Sequence, residues 1–146
     1  MALTRSAHWD TVAYHDFLLN TADSPFKFGV FDCCLFAAEG ILAMTGVDVA
    51  AEFRGTYTDL PGALKAIKKI TGGTTVTDAA AYCAEKAGME QLAHPLKAQR
   101  GDLVIVDNEG TLIAGLVHLN GRDVISVGET GLIRLPITNV QKAWRV

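Results

Sequence analysis

Apolar positions in the first two thirds of the chain recur with the spacing of helices. Residues 8–19 place Trp9 and Val12 on one stripe, which predicts a first amphipathic helix. Residues 33–45 are apolar nearly all round, apart from Glu39. A helix of that kind is buried at the centre of a domain, so this segment is predicted to form the core of the fold.

Two further helices are predicted after the buried one along the sequence. Pro61 suits the first turn of a helix over residues 62–70, because its fixed φ angle is already helical. Thr77 can cap another helix over residues 78–87. Glycines follow both segments and supply the residue type that most often ends a helix.

The pattern changes to that of strands after Pro95. Asn120 and Gly121 form a strong hairpin signal between two of the strands. Helices first and a small antiparallel sheet afterwards predict a single α+β domain over residues 1–146, with N-terminal helices packed on the sheet. The predicted strands, the last two of them at edges of the sheet, cover residues 103–106, 112–119, 124–127, 132–135 and 143–146.

Composition narrows the classes of partner. The 146 residues are 49% hydrophobic and 20% charged, as expected for a globular domain with a sizeable core. The net charge is −3 and the chain has no basic stripe, so nucleic acid is not an expected partner. The His residues are scattered and no C-x-x-C pair is present, so no metal site is expected, and no cofactor is implied.

The hydropathy of the sequence also limits where in the cell the protein is expected. No apolar run approaches the roughly 20 residues that a membrane-spanning helix needs. The first six residues lack the apolar core of a signal peptide. We therefore expect a protein made in the cytoplasm, which stays there unless it leaves as part of a larger particle.

The segment around residues 26–36 carries the candidate chemistry. An aromatic-glycine stretch leads into Asp32 and Cys33, and the buried helix begins at once. A cysteine at a helix N-terminus meets unpaired backbone N–H groups and the positive end of the helix dipole. Both stabilise the thiolate, which is the reactive form of the side chain. The rival interpretation is that Cys33 and its neighbour Cys34 are small buried apolar residues.

A second motif, Arg100-Gly101-Asp102-Leu103-Val104, enters a strand about seventy residues later. Together the two motifs resemble the NlpC-type cysteine peptidases, which have a papain-like fold and cut peptide bonds in bacterial cell walls. The chain is most similar to a small phage-encoded branch found among tail-module genes. The matching features are Asp32-Cys33-Cys34-Leu35-Phe36-Ala37, Met44-Thr45-Gly46, Phe53-Arg54-Gly55, Arg100-Gly101-Asp102, Gly131-Leu132 and Ala143-Trp144-Arg145-Val146.

The resemblance implies a role for each site position. Cys33 matches the nucleophile, and Ile113 falls where the family has the histidine that acts as base. Ser126 falls near the position of the group that orients this histidine. His118 is an alternative base that would need a bulge or a register shift, and His94 in a loop is another. General-base catalysis typically contributes 10²–10⁴-fold, so its loss would leave little activity on a stable amide.

Three functions remain open at this point. The first is a phage tail-tip or baseplate protein with a degenerate peptidase fold, which is located in the virion and acts in tail assembly, by binding tail hub proteins, or in engagement of the host envelope. The second is an active cell-wall hydrolase that aids DNA injection, cleaving peptidoglycan with Cys33 and either His118 or His94. The third is a bacterial protein of the same fold whose thiol serves redox chemistry or acyl transfer.

Overall fold

Helices occupy the N-terminal part of the chain, as predicted, in a computed structural model that describes residues 3–146. The first helix begins with a π-helical segment, in which the N–H of Ala13 reaches the carbonyl of His8 at 3.1 Å. The helical elements are this segment, Trp9–Tyr14, followed by α1 (His15–Thr21), α2 (Cys33–Thr45), α3 (Leu60–Thr71) and α4 (Val76–Lys86).

The cap of α4 differs from the prediction. Thr75, rather than Thr77, is the N-cap, and its hydroxyl accepts a hydrogen bond from the N–H of Asp78 at 3.1 Å. The carboxylate of Asp78 in turn accepts from the N–H of Thr75 at 3.0 Å. This reciprocal pair needs an acceptor three residues after the cap, and Ala80 could not supply one to Thr77.

The described residues form one six-stranded antiparallel sheet in the order β1-β6-β2-β3-β4-β5. The C-terminal strand was predicted at an edge, and that prediction is wrong. β6 lies between β2 and β1, because two exposed residues after α4 pair with Trp144 and Arg145. The strands are β1 (Glu90–Gln91), β2 (Leu103–Asn108), β3 (Thr111–Val117), β4 (Asp123–Gly128), β5 (Gly131–Pro136) and β6 (Val140–Arg145).

The main core lies between the sheet and the helices. Phe36 and Ile41 of α2 pack against Leu103, Ala114 and Leu116 of the central strands. A second apolar cluster covers the opposite face of the sheet, where valines of β2, β3 and β4 meet Val140, Ala143 and the connecting segments. The buried helix α2 therefore rests directly on the middle of the sheet, as its all-round apolar sequence predicted.

Asp102 forms an ionic cluster at the entrance to β2. Its carboxylate is fully buried and lies 3.0 Å from Nη2 of Arg5 and 2.9 Å from Nε of Arg145. It also accepts hydrogen bonds from the backbone N–H groups of Gln99 and Val146. One side chain therefore ties together an N-terminal residue, the entrance of the central strand and the C-terminal strand.

None of the helices in the described part of the chain combines the length and the apolar character needed to cross a lipid bilayer.

Candidate site around Cys33

Cys33 is the first residue of α2, and its side chain is 9% exposed. Asp32 is the N-cap, with its Oδ1 accepting a hydrogen bond from the N–H of Leu35 at 2.9 Å. The loop before it turns at Gly29, whose φ is +78°. A Cβ at Gly29 would lie only 2.0 Å from the carbonyl oxygen of Tyr57, so the aromatic-glycine stretch of the sequence is a close backbone contact.

Asp32 does more than cap the helix. Its Oδ2 accepts hydrogen bonds from the N–H of Gly29 at 3.1 Å and from the hydroxyl of Tyr57 at 2.5 Å. Asp32 is 4% exposed, and of its three bonds the one from Leu35 is buried and the other two are partly buried. Both oxygens are occupied as acceptors, and Asp32 therefore holds the loop, α2 and Tyr57 together.

The strand position that contacts the thiol is Ala114, on β3. Ala114 lines the same cavity as Cys33, and its backbone lies close enough to the thiol to lower the pKa of Cys33. Ile113, the position matched to the base, pairs with Val106 and shares the opposite face of β3 with Val117. The matched position is thus one residue out of step with the face that meets α2. Neither an isoleucine nor an alanine side chain can accept a proton.

The two adjacent thiols differ in acidity. The hydrogen bond from the Cys34 thiol lowers the pKa of Cys33, and the backbone of Ala114 acts in the same direction. Burial of Cys33 and the negative charge of Asp32 oppose that shift, but the pKa remains below its ordinary value. The same hydrogen bond, together with burial, raises the pKa of Cys34. Cys33 is therefore the thiol that ionises first.

A cavity of about 110 Å³ opens beside these thiols. Its wall is almost entirely aliphatic or aromatic, and the cysteines Cys33, Cys34 and Cys83 all line it. Asp32 is the only charged side chain among the described residues that line it, and no histidine does. Burial raises the pKa of the Cys83 thiol to about 11, so this third thiol stays neutral at physiological pH.

His118 lies on the face of the sheet that meets α2, but beyond the end of β3 and far from the thiol. It follows β3 directly, four residues after Ala114, which corresponds to about 13 Å along a strand. Its Nδ1 accepts a hydrogen bond from the N–H of Asn120 at 3.0 Å, and Nε2 lies 3.3 Å from Arg134. It lines a separate depression next to α1, where burial and Arg134 lower its pKa. The structure does not bring His118 to the thiol.

Ser126 is fully buried, and its hydroxyl donates a hydrogen bond to the carbonyl of Ala114 at 2.7 Å. The regular β3–β4 ladder ends at the pair Leu116 and Ile125, so this side chain replaces a missing backbone contact. Ser126 therefore holds β3 where it meets the thiol, and its hydroxyl bonds to a backbone carbonyl rather than to any histidine in residues 3–146.

His94 serves local structure. It is exposed, caps the short 3₁₀ turn Pro95–Lys97 and accepts a hydrogen bond from the N–H of Leu96 at 3.1 Å. Across residues 3–146, no three His, Cys, Asp or Glu side chains come together in the way a metal site requires. The arrangement at Cys33 thus combines an ionisable thiol and an apolar cavity, with no imidazole in the cavity lining among the residues described.

Comparison with known proteins places the chain in a family. No curated protein and no solved structure matches it. One family model, described as a domain of unknown function (DUF6950), matches residues 4–146. That match covers nearly the whole chain. The protein therefore belongs to the DUF6950 family.

Proposed function

We propose that this protein is a non-catalytic component of a phage tail tip or baseplate, with an NlpC-like, papain-type fold. One observation carries the non-catalytic part: the strand residue against the Cys33 thiol is Ala114, and no imidazole lines the cavity among the described residues. Hydrolysis of an amide needs a group that takes the proton of the nucleophile and returns it to the leaving amine. A methyl group does neither.

The tail assignment is supported by the residues that carry the family resemblance. The Asp32-Cys33 helix start is retained as structure, since Asp32 caps α2 and Cys33 packs on the sheet. The Ala-Trp-Arg-Val ending is likewise a structural element, with Trp144 3% exposed and Arg145 paired to Asp102. These positions serve the fold, which fits a protein kept for binding tail hub proteins rather than for catalysis.

An active peptidoglycan hydrolase is the second candidate. The lowered pKa of Cys33 favours it, because the thiolate is the attacking species. A low thiol pKa supplies the nucleophile alone, however, and no imidazole among the described cavity-lining residues relays its proton to the leaving amine. The first candidate is therefore preferred.

We expect no measurable cleavage of peptidoglycan by the purified protein. The measurement is the release of free amino groups from cell-wall sacculi, compared with the Cys33→Ala variant as the matched control. Equal release from both proteins is the expected result. Release that depends on Cys33 would overturn the non-catalytic assignment.

A second arm tests the tail role directly. The gene would be deleted from the phage that carries it and restored as wild type or as Cys33→Ala. We expect tails to be incomplete without the protein and complete with either version. Complete, infectious particles without the protein would contradict a role in tail assembly.

A further inference from the structure

The cavity beside the thiols has the size and lining of a site for a short hydrocarbon chain. Its volume of about 110 Å³ is somewhat smaller than that of a leucine- and phenylalanine-lined cavity of about 150 Å³ that binds benzene. Scaled from the six carbons of benzene in that cavity, the volume holds an unbranched hydrocarbon chain of about four to five carbons. Its apolar wall excludes charged groups, because burying a charge without a partner is costly.

The cavity opens to the protein surface between partly exposed apolar side chains. Leu60 and Leu64 of α3 line it and remain 52% and 45% exposed. Phe26 and Phe28 line another side, with their rings edge to face and their centroids 4.8 Å apart. A chain that enters between these side chains reaches Cys33 and Cys34, which line the same space.

The absence of an imidazole from the described cavity lining limits the reactions that Cys33 can carry out. With an amide, the leaving amine must be protonated as it departs, and the described cavity-lining residues include no imidazole, the group that performs this transfer in cysteine and serine peptidases. Asp32 does not supply the proton, because it accepts hydrogen bonds at both oxygens as a carboxylate and has no proton to donate. With a thioester, the leaving group is a thiolate, which departs without an acid because its pKa is close to that of the attacking thiol.

We propose that Cys33 accepts short, unbranched acyl groups from thioesters, with the hydrocarbon chain held in the cavity lined by Phe26, Phe28, Leu60 and Leu64. Sγ of Cys33 forms a bond to the carbonyl carbon, and the bond from that carbon to the donor sulfur breaks. The donor sulfur leaves with the electron pair and takes up the proton that Cys33 released. The donor thioester and Cys33 thiol thus become an acyl-Cys33 and a free donor thiol, with no oxidation.

The same absence of a base predicts that the adduct persists. Water is a far weaker nucleophile than a thiolate and needs a general base to attack the acyl-cysteine. Acyl-Cys33 is therefore an end product rather than an intermediate, and it returns to the free thiol only by transfer to another thiol. The inference rests on the absence of amide hydrolysis in the proposed function, and it does not depend on the tail assignment.

The test uses the full chain with the acetyl, hexanoyl and palmitoyl thioesters of N-acetylcysteamine, followed by intact-mass spectrometry and peptide mapping. We expect hexanoylation of Cys33 to be at least about tenfold faster than acetylation, since each buried methylene contributes about fourfold. The palmitoyl chain exceeds the cavity, so its reaction falls back to the acetyl rate or below. The Cys34→Ser and Cys83→Ser variants retain the adduct, and Cys33→Ser loses it.

A cavity variant separates chain binding from thiol reactivity. Ala63 lines the cavity on α3, and Ala63→Leu fills part of it. Ala43 of α2 is also half-buried but does not line the cavity, so Ala43→Leu is the matched control. We expect Ala63→Leu to abolish the preference for hexanoyl over acetyl and Ala43→Leu to keep it. This ratio is measured within each variant, so a change in the amount of folded protein does not affect it.

Three results would overturn the proposal: modification no faster than in the urea-unfolded chain, an adduct on Cys34 or Cys83 with Cys33 free, or a hexanoyl preference unchanged in Ala63→Leu. Each is distinct from failure of the proposed function, which would show as Cys33-dependent release of amino groups from peptidoglycan.

Discussion

Replacing Asp102 by alanine is expected to lower the free energy of unfolding by about 3 kcal/mol, because two backbone N–H groups lose their acceptor and two partly exposed guanidinium groups lose their carboxylate. The carboxylate is fully buried and bonds Arg5, Arg145 and two backbone N–H groups. Its removal leaves both guanidinium groups without their partner and frees an N-terminal segment and the C-terminal strand together. The measurement is urea denaturation followed by tryptophan fluorescence.

The control for Asp102 is an ion pair at the surface. Asp123 lies 3.3 Å from Arg134, and these side chains are 34% and 60% exposed. Asp123→Ala is expected to lower the free energy of unfolding far less than Asp102→Ala does, because exposed pairs are screened by water. If Asp102→Ala cost as little as Asp123→Ala, the buried cluster would not be a main link between the ends of the fold.

Replacing Asp32 by alanine is expected to cost about 3 kcal/mol, from a lost N-cap of about 1 kcal/mol and two further, partly buried donors left unsatisfied. Those donors are the N–H of Gly29 and the hydroxyl of Tyr57. Asp59→Ala is the matched control, since Asp59 caps α3 with one exposed hydrogen bond to Gly62. It is expected to cost about 1 kcal/mol. Both costs are measured by urea denaturation, and equal costs would contradict a joining role for Asp32.

Local signals predicted the central helix well. The predicted bounds 33–45 are those of α2, because an N-cap at Asp32 and a glycine at position 46 both act within one helical turn. Gly46 has a φ of +78°, the left-handed conformation that suits glycine at a helix end. The hairpin at Asn120 and Gly121 was also predictable, because its signal lies in two adjacent residues.

Long-range pairing was the part that sequence could not supply. The two exposed residues Glu90 and Gln91 carry no strand pattern, yet they cover the outer side of β6. The cap at Thr75 was missed because Thr77 has the same side chain, and only the reciprocal bond to Asp78 distinguishes them.

At the site, the position of the thiol was predictable and its surroundings were not. The aromatic-glycine stretch before Asp32-Cys33 identified the helix start. The contact of Tyr57 with Asp32 joins residues 25 positions apart, and no local pattern signals it. The choice between Ile113 and Ala114 depended on the register of β3 against α2, which a one-residue shift reverses. Cys83 also reaches the cavity from a different helix, α4.

The most direct test of the central claim, that no histidine acts on Cys33, is the pH dependence of its alkylation by iodoacetamide. The rate would be measured in a Cys34→Ser, Cys83→Ser background, with and without His118→Ala or His94→Ala. We predict that the three pH profiles superimpose, because neither histidine contacts the thiol. A profile displaced by about one pH unit or more in either variant would reveal a thiolate–imidazolium pair and contradict the non-catalytic assignment.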